Sequence, residues 1–230
     1  MYQYETHLHT LPVSKCARVG VRESLEWYKS IGYAGVFITN HFIDGNINID
    51  KTLPYEERIR FYFSDCREGK RIGKEIGLDV FTGVEMSYGG TDFLIYGLDE
   101  DWYLAHPEIE GMKKSQELTF LAEAGALVIQ AHPFREASYI DHIRLFPRHV
   151  HGVEVYNSSQ NDLEFRTVMS EYYAKHYGLI PFAGSDNHTT GSRFLLGGME
   201  SPTPIKDEAD FVARVKSGEI TPFRKEIPQE

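Results

Sequence analysis

Histidines and acids recur in short, separated clusters along this chain, and the first cluster is a His-x-His pair. His7 and His9 stand two residues apart. On an extended chain, residues two apart point to the same side, so both imidazoles can reach one ion. Taken alone, such a pair is more often two surface histidines than a metal site. A second pair with the same spacing, Asp186 and His188, adds a carboxylate. Imidazole and carboxylate together suit zinc, manganese or iron.

Short apolar runs alternate with amphipathic stretches, which predicts strands alternating with helices. Runs rich in β-branched and aromatic residues predict seven strands, at Tyr2–Thr6, Gly35–Thr39, Asp79–Val84, Asp92–Tyr96, Ala126–Ala131, Gly152–Tyr156 and Ile180–Ala183. The predicted helices are Arg22–Ile31, Tyr55–Ile76, Lys113–Ala124, Asn161–Tyr177 and Ala209–Lys216. This alternation predicts an α/β fold with a mostly parallel sheet. About seven short buried strands fit a barrel of TIM type, and an open doubly wound sheet is the alternative.

In such a barrel, the carboxyl ends of the strands meet on one face, where catalytic groups lie. Six separated segments end on that face. One of them ends at Asn157, and the other five would deliver five histidines and two carboxylates: His7, His9, His41, Glu85, His132, Asp186 and His188. Glu85 is the candidate bridging ligand, because the two oxygens of a carboxylate can hold two cations. His132 precedes Pro133, which keeps the chain extended and fixes the direction of the ring. The sequence therefore predicts a metal site built from strand ends.

Asp92 is a further candidate ligand, with a simple turn or cap residue as the alternative. The segment between Glu85 and Asp92 is too short for a helical crossover, so the two strands are predicted to form an antiparallel hairpin. A hairpin would return Asp92 to the end of the sheet where Glu85 lies.

Six motifs occur in a fixed order over nearly the whole chain: ETHLHT, FITNHF, TGVEMS, QAHPF, GVEVYN and AGSDNH. As an ordered set they resemble the PHP (polymerase and histidinol phosphatase) superfamily. The resemblance implies one domain over residues 1–230, a distorted (β/α)7 barrel with the metal site at the carboxyl ends of the strands. It also implies two or three divalent metals per chain (zinc, manganese or iron) and hydrolysis of phosphoesters.

The resemblance implies a ligand set for each ion. The first ion would be held by His7, His9, Glu85 and Asp186, the second by Glu85 and His132, and the third by His41 and His188. Four positions depart from the family pattern. Glu5 is the acid found two positions before the first histidine, which is a harmless change. Asn40 stands where the family usually has an acid before the histidine, Asp92 stands where it often has a histidine, and Cys16 is the obvious candidate for the missing ligand of the third ion.

The predicted reaction is hydrolysis of a phosphate ester by a water molecule that the cations activate. Arg135 and Arg193 follow metal-binding segments and are predicted to grip the phosphate, because a guanidinium matches a phosphate with two parallel hydrogen bonds. Arg18 and Asn157 are further candidate substrate-binding residues. His188 or a metal-bound water is the candidate acid for the leaving group.

Two other functions stay open at this point. One is a metal-dependent amidohydrolase that acts on a C–N bond, since such barrels also use a His-x-His pair. Their bridging lysine, however, would stand where this chain has Glu85. The other is a catalytically silent metal-binding module.

The net charge and the composition indicate which kinds of binding partner the protein can have. The 230 residues include 24 Lys and Arg against 34 Asp and Glu, a net charge of -10, which argues against broad nucleic-acid binding. A small phosphorylated substrate is the expected partner. The N-terminus lacks a signal-peptide pattern, and no apolar run approaches the roughly 20 residues of a membrane span. We therefore expect a cytoplasmic protein that does not enter a membrane.

Overall fold

The computed structural model describes residues 1–191 and 194–227. Nine strands form one sheet in these residues. They are β1 (Tyr2–Leu8), β2 (Gly35–Ile38), β3 (Asp79–Tyr88), β4 (Thr91–Tyr96), β5 (Leu127–Ala131), β6 (Gly152–Asn157), β7 (Ile180–Gly184), β8 (Leu195–Ser201) and β9 (Thr221–Glu226). Their spatial order is β7-β6-β5-β4-β3-β2-β1-β8-β9. All seven predicted strands are present.

The helices are α1 (Val21–Ser30), α2 (Tyr55–Tyr62), α3 (Ser64–Ile76), α4 (Glu100–Ala105), α5 (Lys114–Glu123), α6 (Leu163–Tyr177) and α7 (Glu208–Lys216), with a 3-10 turn at Pro107–Gly111. The helix predicted over Tyr55–Ile76 is two helices. They part at Phe63, whose buried ring packs against Tyr62 and Tyr103 at centroid distances of 4.9 and 5.6 Å. Among the described residues, no helix combines the length and the apolar character needed to cross a membrane.

Six strands, β1 to β3 and β5 to β7, run in the same direction, so their carboxyl ends lie on the same side. The predicted hairpin is present between β3 and β4, with Tyr88 paired to Thr91. Gly89 and Gly90 form its turn, and both have positive φ, as tight hairpin turns require. Because this pairing extends β3 to Tyr88, Glu85 lies inside a paired strand and not just beyond the strand end at Val84, as the sequence predicted.

The sheet curls so that the segment after β7 meets β1. The Asn187 N–H donates to the His7 carbonyl at 3.1 Å, and the His9 N–H donates to the Asn187 carbonyl at 3.0 Å. The segment after β7 is thereby joined to β1. The fold is mixed α/β with a nearly closed, barrel-shaped sheet.

A count of seven βα units does not describe this sheet, because β4 enters by a hairpin and β8 pairs antiparallel with β1. The sequence analysis missed β8 and β9. Gly197 and Gly198 weaken the strand signal in β8, and β9 contains Pro222 and three charged residues. Such residues are tolerated at a sheet edge but have low intrinsic strand preference.

Aromatic side chains fill the barrel below the strand ends. Phe37 packs on Phe211 of α7 at 4.3 Å and on Tyr96 at 5.3 Å, and Tyr96 packs on Phe182 at 5.5 Å. Truncating one such ring to alanine typically costs about 3–5 kcal/mol. The Tyr96 hydroxyl also donates to the Thr6 carbonyl at 2.6 Å. The core therefore fixes the strand that carries the His-x-His pair.

Candidate metal centre

Five elements bring the seven strand-end ligands together. His7 lies in β1 and His9 follows it, Asp186 and His188 follow β7, and His132 follows β5 directly. The isolated bridge between His41 and Glu85 joins the segment after β2 to β3. The His9 ring lies 4.5 Å from the rings of both His41 and His188. The structure thus places all seven side chains in one cluster.

Glu85 lies at the middle of this cluster and is 1% exposed. Its Oε1 lies 3.0 Å from His7 Nε2 and 3.4 Å from His132 Nε2. Its Oε2 lies 2.7 Å from His41 Nδ1 and 3.3 Å from His9 Nε2. One carboxylate therefore faces four imidazoles, two on each oxygen, which is the arrangement expected of a bridging ligand.

Asp186 supplies the second carboxylate. Its Oδ1 lies 3.2 Å from His9 Nε2 and 3.6 Å from His7 Nε2, while its Oδ2 accepts from the Arg135 guanidinium. Asp186 and His132 both have left-handed backbones, with φ of 53° and 24°. Strained backbone of this kind persists where the surrounding structure holds it, and it concentrates at functional sites.

The carboxylates and imidazoles of the cluster shift one another's pKa values. Burial raises the pKa of the Glu85 carboxyl, but His41, His7 and His9 outweigh it and hold that pKa well below its usual range. Burial and the neighbouring His188 lower the pKa of His9 to about 3. Burial lowers the pKa of His7 and of His41, but neighbouring carboxylates outweigh it and raise both pKa values well above their ordinary range, so metal binding would displace protons from these two rings.

Buried polar atoms without a good hydrogen bond indicate whether the candidate ligands fit metal ions. Among the described residues, His41 Nδ1, Glu85 Oε2 and His132 Nε2 are buried and make no well-aligned hydrogen bond, although His41 Nδ1 and Glu85 Oε2 lie 2.7 Å apart. A buried polar atom without a partner lowers the free energy of unfolding by about 1–3 kcal/mol. Three such atoms in one cluster therefore indicate that a further group binds there. Within this cluster, three sets of side chains have ligand atoms within 4.8 Å of one another: His7 with Glu85 and His132; His7 with His9 and Asp186; and His9 with Cys16, His41 and His188. These residues fit divalent metals.

Cys16 faces the part of the cluster that the third ion would use. Burial raises the pKa of its thiol, but hydrogen bonding to His188 and His41 outweighs that effect and brings the pKa to about 7. The thiolate is therefore accessible near neutral pH. Among zinc, manganese and iron, zinc is the divalent ion that a thiolate beside imidazoles suits best.

A buried network behind this part of the cluster escaped the sequence analysis. The Asn40 amide donates to Asp65 Oδ2 at 3.0 Å and to Thr10 Oγ1 at 2.9 Å, and its oxygen accepts from the Ser14 hydroxyl at 2.8 Å. The Ser14 oxygen lies 3.2 Å from His9 Nδ1. Asp65 comes from α3, so an acid from a helix lies behind Asn40.

Two more buried acids lie beside His7; the sequence singled out Glu5 without giving it a contact, and Glu154 was missed. Glu5 Oε1 accepts the N–H groups of His7 and Ser185, each at 2.9 Å, and Glu154 lies 2.9 Å from His7 Nδ1. Both are fully buried. A charged residue inside a strand that is otherwise apolar is the signal that could have found them, since such residues are rarely buried without a partner.

The remaining predicted residues lie in different surroundings. Asp92 Oδ2 lies 3.7 Å from His132 Nε2, at the edge of the cluster. The Asn157 amide donates to Glu154 at 2.9 Å inside the fold. Arg18 is exposed, and its backbone N–H donates to the His188 carbonyl at 2.8 Å. Arg193 lies outside the described residues. Substrate binding by these residues stays a prediction.

The cluster opens into a cleft of about 630 Å³. Its lining includes Cys16, His41, Asp92, Arg135, Tyr139 and His188. A small molecule in this cleft would therefore meet the candidate ligands and the Arg135 side chain together.

Three solved structures share the fold. A two-domain protein from Bacteroides vulgatus, named as containing a PHP-like metal-dependent phosphoesterase, matches with a TM-score of 0.69 and 12% identity over 96% of this chain and 64% of that one. A protein from Bifidobacterium adolescentis named as a metal-dependent phosphoesterase matches with a TM-score of 0.56 and 13% identity, over 83% and 89% of the two chains. An amidohydrolase from Chromobacterium violaceum, solved with bound sulfate and no metal, matches with a TM-score of 0.55 and 16% identity, over 95% and 97%.

At these identities the likeness shows the fold alone. The fold is that of PHP-like proteins, which confirms at this level the resemblance that the six motifs predicted. The chain spans less than two thirds of the two-domain protein, at 64% of its length. No protein-family model matches the chain, and no curated protein matches it. Because an amidohydrolase shares the fold, the fold does not decide which bond is cleaved.

Proposed function

We propose that this protein is a metal-dependent hydrolase of phosphate esters, acting on a small phosphorylated substrate. The observation that carries the proposal is the position of Glu85, whose two oxygens face four imidazoles inside one buried cluster. The proposal includes one barrel domain over residues 1–230 with its active site at the carboxyl ends of the parallel strands.

Two or three divalent ions (zinc, manganese or iron) are proposed. The first would be held by His7, His9, Glu85 and Asp186, the second by Glu85 and His132 with Asp92 beside them, and the third by Cys16, His41 and His188. When bound, such ions generate hydroxide from water near neutral pH and stabilise negative charge on phosphoryl oxygens.

The residues of the cleft suit a phosphate ester. Arg135 is held at the metal centre by Asp186 and also lines the cleft, so its remaining N–H groups can donate to phosphate oxygens. His188 Nδ1 lies 2.9 Å from the Asp186 carbonyl oxygen, which only accepts hydrogen bonds. The Nδ1 of His188 therefore carries the proton, and its other ring nitrogen is left to bind an ion or, once protonated, to protonate a leaving group. Arg193 and Asn157 are proposed as additional substrate contacts.

Hydrolysis of a C–N bond is the second candidate function, and the fold shared with an amidohydrolase favours it. An activity assay distinguishes the two candidate functions. Protein reconstituted with Mn²⁺ or Zn²⁺ is assayed against phosphomonoesters, phosphodiesters and amides, with chelator-treated protein as the control. We expect metal-dependent release of phosphate or of a phosphomonoester. Cleavage of amides alone would replace the proposal with the amidohydrolase, and full metal occupancy without any hydrolysis would leave a silent metal-binding module.

A further inference from the structure

Glu154 is a fully buried carboxylate in β6 that touches two candidate metal ligands belonging to different ions. Its Oε1 lies 2.9 Å from Nδ1 of His7. Its Oε2 accepts the backbone N–H of His132 at 3.0 Å and the side-chain amide of Asn157 at 2.9 Å. The sequence analysis assigned no role to this residue.

The neighbours of Glu154 determine its chemistry. A backbone N–H and the nitrogen of an amide side chain only donate, and an ionised carboxylate only accepts. Glu154 Oε2 therefore accepts from His132 and Asn157, and Glu154 Oε1 is the acceptor for a proton on Nδ1 of His7. With Nδ1 protonated, the neutral imidazole presents the lone pair of Nε2, which is the atom that faces Glu85 and Asp186.

Glu154 also holds the His132 backbone. His132 has a φ of 24°, a left-handed conformation that costs free energy for a residue with a side chain. The hydrogen bond from its N–H to Glu154 is one of the contacts that hold it there and so aims the ring at Glu85. Gly184 leaves room for the arrangement, because a Cβ at that position would lie 2.7 Å from Glu154 Oε1 and 2.6 Å from His7 Cβ.

We propose that Glu154 is a positioning residue that couples the two ions bridged by Glu85. It fixes the tautomer of His7, a ligand of the first ion, and the direction of His132, a ligand of the second. This inference rests on the proposed function, because it takes His7 and His132 to be metal ligands. It differs from a general role in stability, since it predicts a defined proton on a defined ring nitrogen.

The first test uses the wild-type protein loaded with zinc and labelled with ¹⁵N-histidine. We expect NMR to detect a deshielded proton on Nδ1 of His7, hydrogen-bonded to a carboxylate. A His7 that is protonated on Nε2, or that binds zinc through Nδ1, would overturn the inference without any variant.

The second test is Glu154→Gln. Whichever way the amide turns, its NH₂ group faces at least one donor, so either His7 changes tautomer or His132 and Asn157 lose their acceptor. We expect calorimetry to show metal binding at the two bridged sites weakened by about 10–100-fold, the range typical of residues that orient metal ligands. Glu154→Asp keeps the charge and should recover part of the affinity and of the Nδ1 proton signal.

Glu117→Gln is the matched control, because Glu117 is also buried and its carboxylate pairs with Lys114 at 2.6 Å and not with a candidate metal ligand. It should lower stability and leave the His7 proton signal and the metal affinity of the bridged sites in place. Equal metal affinity in Glu154→Gln and the wild type would overturn the role of Glu154 alone. A wild-type protein that binds no metal would overturn the proposed function as well.

Discussion

The two sides of the candidate metal centre differ in charge and in exposure. The carboxylate half comprises His7, His9, Glu85, Asp92, His132 and Asp186, and the thiol half comprises Cys16, His41 and His188. Every side chain of the carboxylate half is at most 10% exposed, whereas those of His41 and His188 are 16% and 21% exposed and Cys16 is partly exposed. The carboxylate half is therefore the more deeply buried, although Asp92 and Asp186 reach the cleft, and all three side chains of the thiol half line it.

This difference indicates unequal affinities for metal. Fixed negative charge inside a buried site attracts a cation through a low dielectric, so the carboxylate half should bind tightly. Two neutral imidazoles offset less of the charge of an ion, and solvent reaches them. The thiol half depends on the Cys16 thiolate for its only charge. The supporting residues also differ in charge. The Glu154 carboxyl group contacts the carboxylate half, and the neutral Asn40 amide lies behind the thiol half.

Glu85→Gln should have the largest effect, because Glu85 faces imidazoles of both halves, with His7 and His132 at one oxygen and His41 at the other. The change keeps the volume and removes the charge that holds two cations together. Since altering a residue that merely orients a ligand costs about 10–100-fold, loss of the bridging ligand should reduce phosphoesterase activity by more than about a hundredfold. Steady-state kinetics and circular dichroism measure the loss and the retained fold.

Glu57→Gln is the control for that change, as Glu57 is exposed on α2. Its activity should equal that of the wild type. Normal turnover in Glu85→Gln, with metal content unchanged, would show that the two halves do not share a bridging ligand and would remove the basis of the proposed function.

The sequence predicts the ligands better than it predicts what holds them. His7, His9, Glu85, His132 and Asp186 were found from strand ends, because a parallel barrel collects its carboxyl ends on one face. The same reasoning placed Glu85 just beyond the end of β3, since the extra length of β3 depends on pairing with β4 across the hairpin.

The supporting residues depend on distant parts of the chain. Asp65 and Asn40 are 25 residues apart and on different elements, and Glu154 contacts His7 across 147 residues. Neither contact follows from local periodicity or motif spacing. The closure of the sheet by Asn187 and the added strand β8 have the same origin, which is tertiary pairing that a single sequence does not reveal.

Asn40→Asp tests the support of the thiol half. It replaces an amide donor with a second carboxylate oxygen 3.0 Å from Asp65 Oδ2, and two buried acceptors then face each other. We expect the free energy of unfolding to fall by about 1–3 kcal/mol in denaturant titrations. Adding Asp65→Asn should recover most of that loss, because a donor again faces an acceptor. Additive losses in the double variant would show that the two side chains do not interact.

Stepwise removal of metal compares the two halves directly. As a chelator is titrated into the loaded protein, we expect one ion to leave first, from the thiol half, while the ions bridged by Glu85 remain. Elemental analysis of the protein fraction, with activity measured at each step, follows both. Loss of all ions together would contradict the difference in affinity between the halves.

Cys16→Ser should have the smallest effect and is the sharpest probe of the thiol half. The Cys16 thiol has its pKa lowered to about 7, so it supplies a thiolate near neutral pH that a serine hydroxyl cannot replace. We expect binding of the first-released ion to weaken by about tenfold, with the other ions unaffected. Cobalt-loaded wild type should show a near-ultraviolet thiolate-to-cobalt absorption band, and the variant should lack it.

Cys66→Ser is the matched control, because Cys66 is the only other cysteine of the chain, is buried on α3, and has a thiol whose pKa burial raises to about 12. That variant should keep the cobalt band and the metal affinity and lose only stability. A band that survives Cys16→Ser would show that the thiol does not bind the ion. The ion of the thiol half would then be held by His41 and His188 with solvent, and its early release would follow from the missing charge alone.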